Sequence, residues 1–374
     1  MLSGNGSELT VIDLLRRVAE TEASDLHMAA GSPPMLRIHG SLVPQELPEL
    51  NAEAMRNAFS QIVTEAQRAA FDSEKELDFA FSADGVGRFR VNAALQRGSI
   101  TLAFRPVRSE IPTLEELRLP DICQSLVLKP RGLVLVTGPT GCGKSTTLAA
   151  MINHLNERER RHIVTVEDPI EFVHRDKQCL ISQRELGADT ISFAAALKHV
   201  LRQDPDVILV GEMRDLETIA LALTAAETGH LVLATLHTPS AAQTIDRVID
   251  SFPPYQQQQI KVQFSTVLEA VLCQTLVPTA NNSGRVAAVE IMVATSAVRN
   301  LIREGKTFQI PNVIQTGSQY GMQTLDQALA TLYQTGVIAQ DEALARCSNP
   351  EELDRLLAAG PAREPALRHK ETHG

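Results

Sequence analysis

Apolar residues recur along this chain in two rhythms, and the change from one to the other divides it. Over 8–21 the spacing of Leu9, Ile12, Leu15 and Val18 predicts an amphipathic helix, because residues three and four apart share one helical face. Extended segments follow at 25–28 and 35–39, separated by the turn-forming GSPP of 31–34. A helix is predicted over 51–70. After it, ELDFAFS, RFRVNAAL and SITLAFRPV alternate apolar and polar positions, as antiparallel strands with one covered face do. Together these elements predict an α+β N-terminal domain over 1–108.

SEIPTLEELRLP reads as a linker, placed at 109–118, with Pro112 and Pro120 bracketing a helical turn. Beyond it the rhythm changes. LVLV (133–136), IVTV (163–166), VILV (207–210) and LVLAT (231–235) are continuous apolar runs. Each is too short for a helix and too uniform for a half-exposed strand, so they predict a buried parallel sheet. Between them helical spacing returns, as at Leu148, Met151, Ile152 and Leu155. Strand–helix alternation of this kind predicts an α/β domain over 119–349, and the polar stretch 350–374 reads as a fraying tail. Near its end SAVRNLIREGK (296–306) forms a short basic amphipathic helix, with Ser296 as N-cap and Gly305 as stop. Val298, Leu301 and Ile302 share its apolar face, and Arg299, Asn300, Arg303 and Glu304 its polar one.

Composition narrows the function classes. The chain has 374 residues, 44% hydrophobic and 21% charged, which is the balance of an ordinary two-domain globular protein. A net charge of −10 and the absence of Trp weigh against a nucleic-acid surface, which needs concentrated positive charge and stacking platforms. Cys123, Cys142, Cys179, Cys273 and Cys347 are odd in number and never paired as CxxC, so they read as reduced cytosolic thiols. Cys142 alone, inside a glycine-rich loop, invites a question of oxidation, with a small filler residue the simpler reading. The N-terminus lacks a signal-peptide pattern, and no run reaches 18 uncharged apolar residues.

The chemistry concentrates on one motif. Residues 138–145, GPTGCGKS, follow a buried strand and open an amphipathic helix, which is the context of a phosphate-binding loop. Gly138, Pro139, Thr140, Gly141, Cys142 and Gly143 would turn the backbone so that its N–H groups face phosphate oxygens. Lys144 supplies a point charge for the β and γ phosphates, Ser145 an oxygen for Mg²⁺, and Thr146 continues the helix N-terminus. ATP or GTP binding follows, and the lack of an NKxD-type base reader sets GTPases aside. In PDVILVGEMRDLE (205–217) the strand ends in Gly211-Glu212 where Asp-Glu is usual. Glu212 is then the candidate general base or water orienter, or else a partner for the helix start after it. Glu167 and Asp168 end the preceding strand and are candidates for Mg²⁺, directly or through water, or are solvated loop acids. In GHLVLATLHT, His230 precedes a strand and His237 follows it; either could sense the γ-phosphate or be an ordinary satisfied histidine.

In their order and spacing these stretches resemble the secretion-type ATPase superfamily, and within it the type IV pilus retraction ATPases. SDLHMAAGSPPMLRIHG resembles that branch's N-terminal signature, GPTGCGKSTT its Walker A, VEDPIEF its aspartate box, and ILVGEMRDLETI its atypical Walker B. GHLVLATLHT resembles its histidine box and SAVRNLIREGK its C-terminal signature, with Val298 in place of Ile. The resemblance implies a PAS-like N-terminal domain linked to a RecA-like P-loop ATPase domain, six chains forming a homohexameric ring, and ATP with Mg²⁺ as cofactors. It implies arginines from the N-terminal domain reaching the phosphates, for which Arg90, Arg97 and Arg105 are the candidates. It also implies a cytoplasmic motor at the inner-membrane base of the pilus, working on a platform protein, with a paralogous retraction ATPase as a further partner. The missing tetracysteine zinc motif sets the chain apart from pilus-assembly and type II secretion ATPases. Those, DNA-transport relatives and a non-hydrolysing regulator of such a motor are the alternatives. On this reading the basic face of 296–306, with Arg299 and Arg303 outward, is a coupling surface.

Overall fold

Thr10 starts the first helix, α1 (Val11–Glu20), with a capping box: its hydroxyl accepts from the Asp13 N–H and the Asp13 carboxylate accepts from the Thr10 N–H. The computed structural model describes residues 10–107 and 110–358 and resolves two compact units. One is Met1–Glu110 with Ile170–Val173; the other is Ile111–Pro169 with His174–Gly374. In the first unit α1 buries Val11, Leu14, Leu15 and Val18. Leu15 and Val18 are buried as read in sequence, whereas Val11 and Leu14 complete the stripe in place of Ile12, which is 38% exposed, and Leu9 lies outside the described residues.

Strands β1 (Asp25–Met28), β2 (Met35–Ile38) and β3 (Ser41–Pro44) precede α2 (Ala52–Ile62) and α3 (Glu65–Glu74). The single helix expected over 51–70 is thus two, because Thr64 and Gln67 form a second capping box that restarts the chain. β4 (Glu76–Ala83), β5 (Gly87–Gln96) and β6 (Ser99–Pro106) complete an antiparallel sheet in the order β3-β2-β1-β6-β5-β4. Phe59 of α2 and Phe71 of α3 meet with ring centroids 4.6 Å apart in the core beneath it.

In the second unit, α4 (Ile122–Val127) and β7 (Gly132–Thr137) lead into α5 (Lys144–Asn156). They are followed by β8 (His162–Glu167), β9 (Leu180–Glu185), α6 (Phe193–Val200), β10 (Val207–Val210), α7 (Leu216–Glu227) and β11 (Leu231–Leu236). α8 (Ala241–Asp250), α9 (Pro254–Val267), β12 (Leu268–Pro278) and β13 (Arg285–Val293) complete the sheet, in the order β13-β12-β7-β11-β10-β8-β9. All its pairings are parallel except β12 with β13. The four apolar runs are β7, β8, β10 and β11, and Leu148, Met151, Ile152 and Leu155 of α5 are all buried against the sheet.

Two boundaries differ from expectation. Residues 111–118 are no free linker: Thr113 and Glu116 exchange side-chain-to-backbone hydrogen bonds, and Leu114 is 2% exposed in the core with Cys123 and Met151. Residues 350–358 do not fray. After α10 (Ser296–Glu304), α11 (Ile310–Thr316), α12 (Leu325–Gln334) and α13 (Gln340–Leu344), the chain forms α14 (Pro350–Ala358). Leu353 of α14 is fully buried against Leu329 and Ile338, and residues 359–374 lie outside the described residues.

The signature helix α10 corrects a third expectation. Thr295, not Ser296, is its N-cap, while Gly305 ends it in the left-handed conformation. Val298 and Ile302 are buried as expected. Arg299, however, points inward. It donates to the Ala294 carbonyl at 2.8 Å, to the Ser265 and Thr266 carbonyls at 2.6 Å each, and to Glu269 at 3.0 Å. Three backbone acceptors at the end of α9 and before α10 need a donor, and the guanidinium fork supplies several at once. Glu269 sits at a bulge between Leu268 and Ala270, which turns its carboxylate onto Arg299 and onto Lys129, at 2.8 Å. Arg299→Ala should therefore lower stability by about 2 kcal/mol, whereas Arg303→Ala, at an exposed position, should leave it within about 0.5 kcal/mol. Thermal unfolding of the two variants checks this, and equal melting points would remove the structural role of Arg299.

Candidate active site

Parallel pairing sets the carboxyl ends of β7, β11, β10 and β8 side by side on one edge, where ligands of open α/β sheets bind. The phosphate loop leaves β7 there. Gly138 has φ +133°, and a Cβ on it would lie 2.3 Å from the Gln274 carbonyl of β12, so no other residue fits. Gly138 and Cys142 are buried, while Pro139, Thr140 and Gly141 are exposed at the loop's crest. Gly143 precedes α5, whose first turn carries Lys144, Ser145 and Thr146 with the latter two half-buried. Lys144 is buried at 9% exposure and folds back on its own loop, donating to the Gly138 carbonyl at 2.9 Å and the Pro139 carbonyl at 3.2 Å. A cation already cradled by phosphate-loop carbonyls, at the N-terminus of a long helix, suits an anion. Burial pushes the Cys142 thiol's pKa up, so this cysteine is a buried filler without thiolate character.

Glu212 lies just beyond β10 and is clamped from both sides. His237 Nε2 is 3.2 Å from one carboxylate oxygen and Arg214 Nη2 2.8 Å from the other. Partial burial pushes its pKa up, but the Arg214 hydrogen bond and the His237 charge outweigh that, and the net shift is downward. It is no helix cap: Asp215 caps α7, accepting from the Thr218 N–H at 2.8 Å. His237 Nδ1 lies 3.4 Å from Lys144 Nζ and 3.5 Å from Thr140 Oγ1. Lys144, His237, Glu212 and Arg214 thus form one contiguous chain, which Asp168 extends at 3.8 Å from Arg214. Glu167, the last residue of β8, accepts from Thr165 Oγ1 at 2.6 Å and from Gln183 Nε2 at 3.1 Å. Gly211 is tightly packed, since a Cβ there would stand 3.1 Å from the Val166 carbonyl and 3.2 Å from Glu167 Cα. An Asp in this position, as in an ordinary Walker B strand, would need the β8 backbone to give by a few tenths of an ångström.

His230 does not join them. It stands at the amino end of β11, six residues and roughly 20 Å of strand from the phosphate-loop edge. There it closes α7 through contacts with Ala225 and Thr228. The fold thus places it in the ordinary, satisfied role. In the other unit, Arg90 and Arg105 are direct cross-strand neighbours on β5 and β6, both exposed. Asp25 accepts from Arg105 Nε and Nη2 at 2.8 Å, which balances part of that paired positive charge. Arg97 is apart from them, in the two-residue turn joining the far ends of these strands, with φ +50°. Sequence reading missed Arg214, Gln183, Thr165 and Gln274. Only Arg214 had a local signal, as it lies two residues from Glu212 and so on the same side of an extended segment.

A model of the type II/IV secretion system protein family matches residues 112–344. The type IV pilus retraction ATPase PilT of Pseudomonas aeruginosa is 50% identical over 343 residues, covering 92% of this chain and 99% of that protein. The type IV pilus ATPase PilU of the same organism is 43% identical over 347 residues, covering 93% and 91%. Among solved structures, the pilus retraction motor PilT with bound ADP is similar at a TM-score of 0.86 and 43% identity, covering 93% of this chain and all 100% of that one.

Two outcomes follow from the clamped geometry. Gly211→Asp, although it restores a commoner strand ending, should lose about 1–3 kcal/mol of stability by overpacking against β8; a melting point at or above that of the parent would refute the crowding. Because the Glu212 pKa is depressed on folding, the stability from its contacts is complete above the ordinary carboxyl value of 4.5 and is lost as pH falls through the lower folded value. Arg214→Gln should move that acid loss to higher pH in urea titrations run between pH 3 and 6 (a range of about three units around the carboxyl value).

Proposed function

The chain belongs to the type II/IV secretion system protein family, and from that premise we propose that it is the motor that retracts type IV pili, working as a homohexamer. It is an ATP hydrolase, as the retraction ATPase relatives and the ADP-bound structure it resembles indicate. The observation that carries the catalytic reading is the unbroken side-chain chain from Lys144 through His237 to Glu212 at the phosphate-loop edge. In our reading ATP draws Lys144 off the Gly138 and Pro139 carbonyls and onto its phosphates. Glu212 orients the attacking water and accepts its proton, a role its ionised state at neutral pH permits. His237 touches both groups, so it reports phosphate occupancy to Glu212. Arg90 and Arg105 supply positive charge to the phosphates of a neighbouring subunit.

Mg²⁺ fits the donors present. Ser145, Glu167 and Asp168 are hard oxygen ligands on the right edge, and no cluster of three or more His, Cys, Asp or Glu among the described residues offers a ready metal cage. They would hold the ion together with phosphate oxygens, where it would neutralise charge on the transferred group. Among the described residues no helix is long and apolar enough to cross a membrane, so the proposed place at the inner-membrane base of the pilus depends on the platform protein. The PilU relative supports a paralogous ATPase as a second partner. The five cysteines are all unpaired thiols, which supports retraction over the zinc-bearing assembly branch.

Lys144→Ala should abolish ADP binding, while Glu212→Gln should keep it and lower turnover by about 10²–10⁴. Nucleotide titration with phosphate-release kinetics separates the two. Deleting the gene should leave long pili and no twitching, restored by the parent chain and not by Glu212→Gln. A deletion strain without pili would assign the protein to assembly instead.

A further inference from the structure

One polar side chain beside the phosphate loop belongs to none of the recognised boxes. Gln274 lies on β12, next to β7, and is 2% exposed. Its Nε2 donates to the Cys142 carbonyl at 2.6 Å, inside the loop. Its Oε1 is buried and has no hydrogen-bond partner among the described residues. An unpaired buried acceptor is a free-energy penalty that a Leu or Met of similar volume would avoid. Whatever retains Gln274 must therefore depend on the donor end of its amide.

That end controls a peptide plane. In a trans peptide the carbonyl of one residue and the N–H of the next point in opposite directions. Drawing the Cys142 carbonyl inward onto β12 therefore turns the Gly143 N–H outward. The Cys142 thiol is drawn in as well, lying 2.7 Å from the position of a Cβ on Gly138. Leu276, two residues along the same face of β12, packs under Gly143, 3.8 Å from where its Cβ would be. Among the described residues nothing accepts from the Gly143 amide, which stands beside the N-terminus of α5.

We propose that Gln274 is a positioning residue for ATP binding: by holding the Cys142 carbonyl it aims the Gly143 N–H at the phosphates. The inference rests on the loop being the nucleotide site and adds to it a residue that touches no substrate. Gln274→Met keeps the volume, removes the donor and removes the unpaired acceptor with it. ADP affinity and the ATP KM should worsen by roughly five- to twentyfold, the equivalent of one to two ordinary hydrogen bonds. kcat should be kept, because the amide–phosphate contact is made in the ground state and the transition state alike. The melting temperature should stay level or rise, and competition by adenosine, which has no phosphate, should be unchanged. Gln274→Leu provides a second donor-free variant with the same expectation. Wild-type ADP affinity in both variants would overturn the proposal. So would a fall in melting temperature together with equal losses for ADP and adenosine, which would make Gln274 a packing residue only. Lys144→Ala is measured alongside: if it keeps ADP affinity, the loop is not the nucleotide site and that underlying reading fails first.

Discussion

The functional half of this molecule depends on the in-register parallel pairing of β7, β11, β10 and β8. Strands covered on both faces have no room for charged side chains along their length, so charge appears only where they end. Because all four run the same way, those ends fall on one edge and bring together residues up to about a hundred positions apart: Lys144, Glu167, Glu212 and His237. The same closeness limits what can stand there. Gly138 faces the backbone of β12 with no space for a Cβ, and Gly211 faces the backbone of β8, where a Cβ would be tight. The departure from the usual Walker B ending thus falls where the edge is tightly drawn. Glu212, one residue further on, is the first carboxylate after β10.

Charge at this edge is balanced internally. Lys144, His237, Glu212, Arg214 and Asp168 alternate in character, and each cation or carboxylate meets a partner within 4 Å. A polyphosphate therefore enters by exchange: it replaces loop carbonyls around Lys144 and competes with Glu212 for positive charge. Exchange suits a cyclic machine, since a site with unbalanced charge would hold its anion too tightly to release product. His237 touches both the lysine that must move and the carboxylate that must stay ionised.

Much of this was legible because the chemistry is written in local runs. The phosphate loop, the four apolar strands and the acidic strand ends each occupy a few consecutive residues, and their periods distinguish a buried sheet from amphipathic helices. The two histidines show what direction adds. They flank one strand symmetrically in sequence, yet a parallel strand has its site at the carboxyl end alone, which selects His237 and leaves His230 to close α7. What was illegible depends on partners distant in the chain. Leu114 looks like a linker residue until Cys123 and Met151 bury it, and Leu353 like tail until α12 covers it. Gln274 reads as an odd polar residue in an apolar strand, and only the loop 132 positions earlier gives its amide a purpose. A helical wheel placed Arg299 outward because it lies beside Asn300 and Arg303, but the open carbonyls ending α9 draw it in.

Glu269, which holds Arg299, and Gln274 both belong to β12, the neighbour of β7. β12 and β7 run parallel, and each end of the pair is tied by a β12 side chain. At the amino end, bulged Glu269 binds Lys129 and packs on Gly132, where a Cβ would meet it at 2.4 Å, while Arg299 fastens α10 to the same carboxylate. At the carboxyl end, Gln274 holds the phosphate loop. The signature helix is thus attached to the strands that carry the nucleotide loop, at the opposite edge of the sheet. An interior packed this closely transmits displacement better than it absorbs it. α10 and the phosphate loop are thus joined through β12 and β7, which pair from Leu268–Leu133 to Cys273–Thr137. Arg299 is the helix's inward arginine, while Arg303, Glu304 and Lys306 remain exposed, with Lys306 Nζ 2.8 Å from the Glu304 carboxylate.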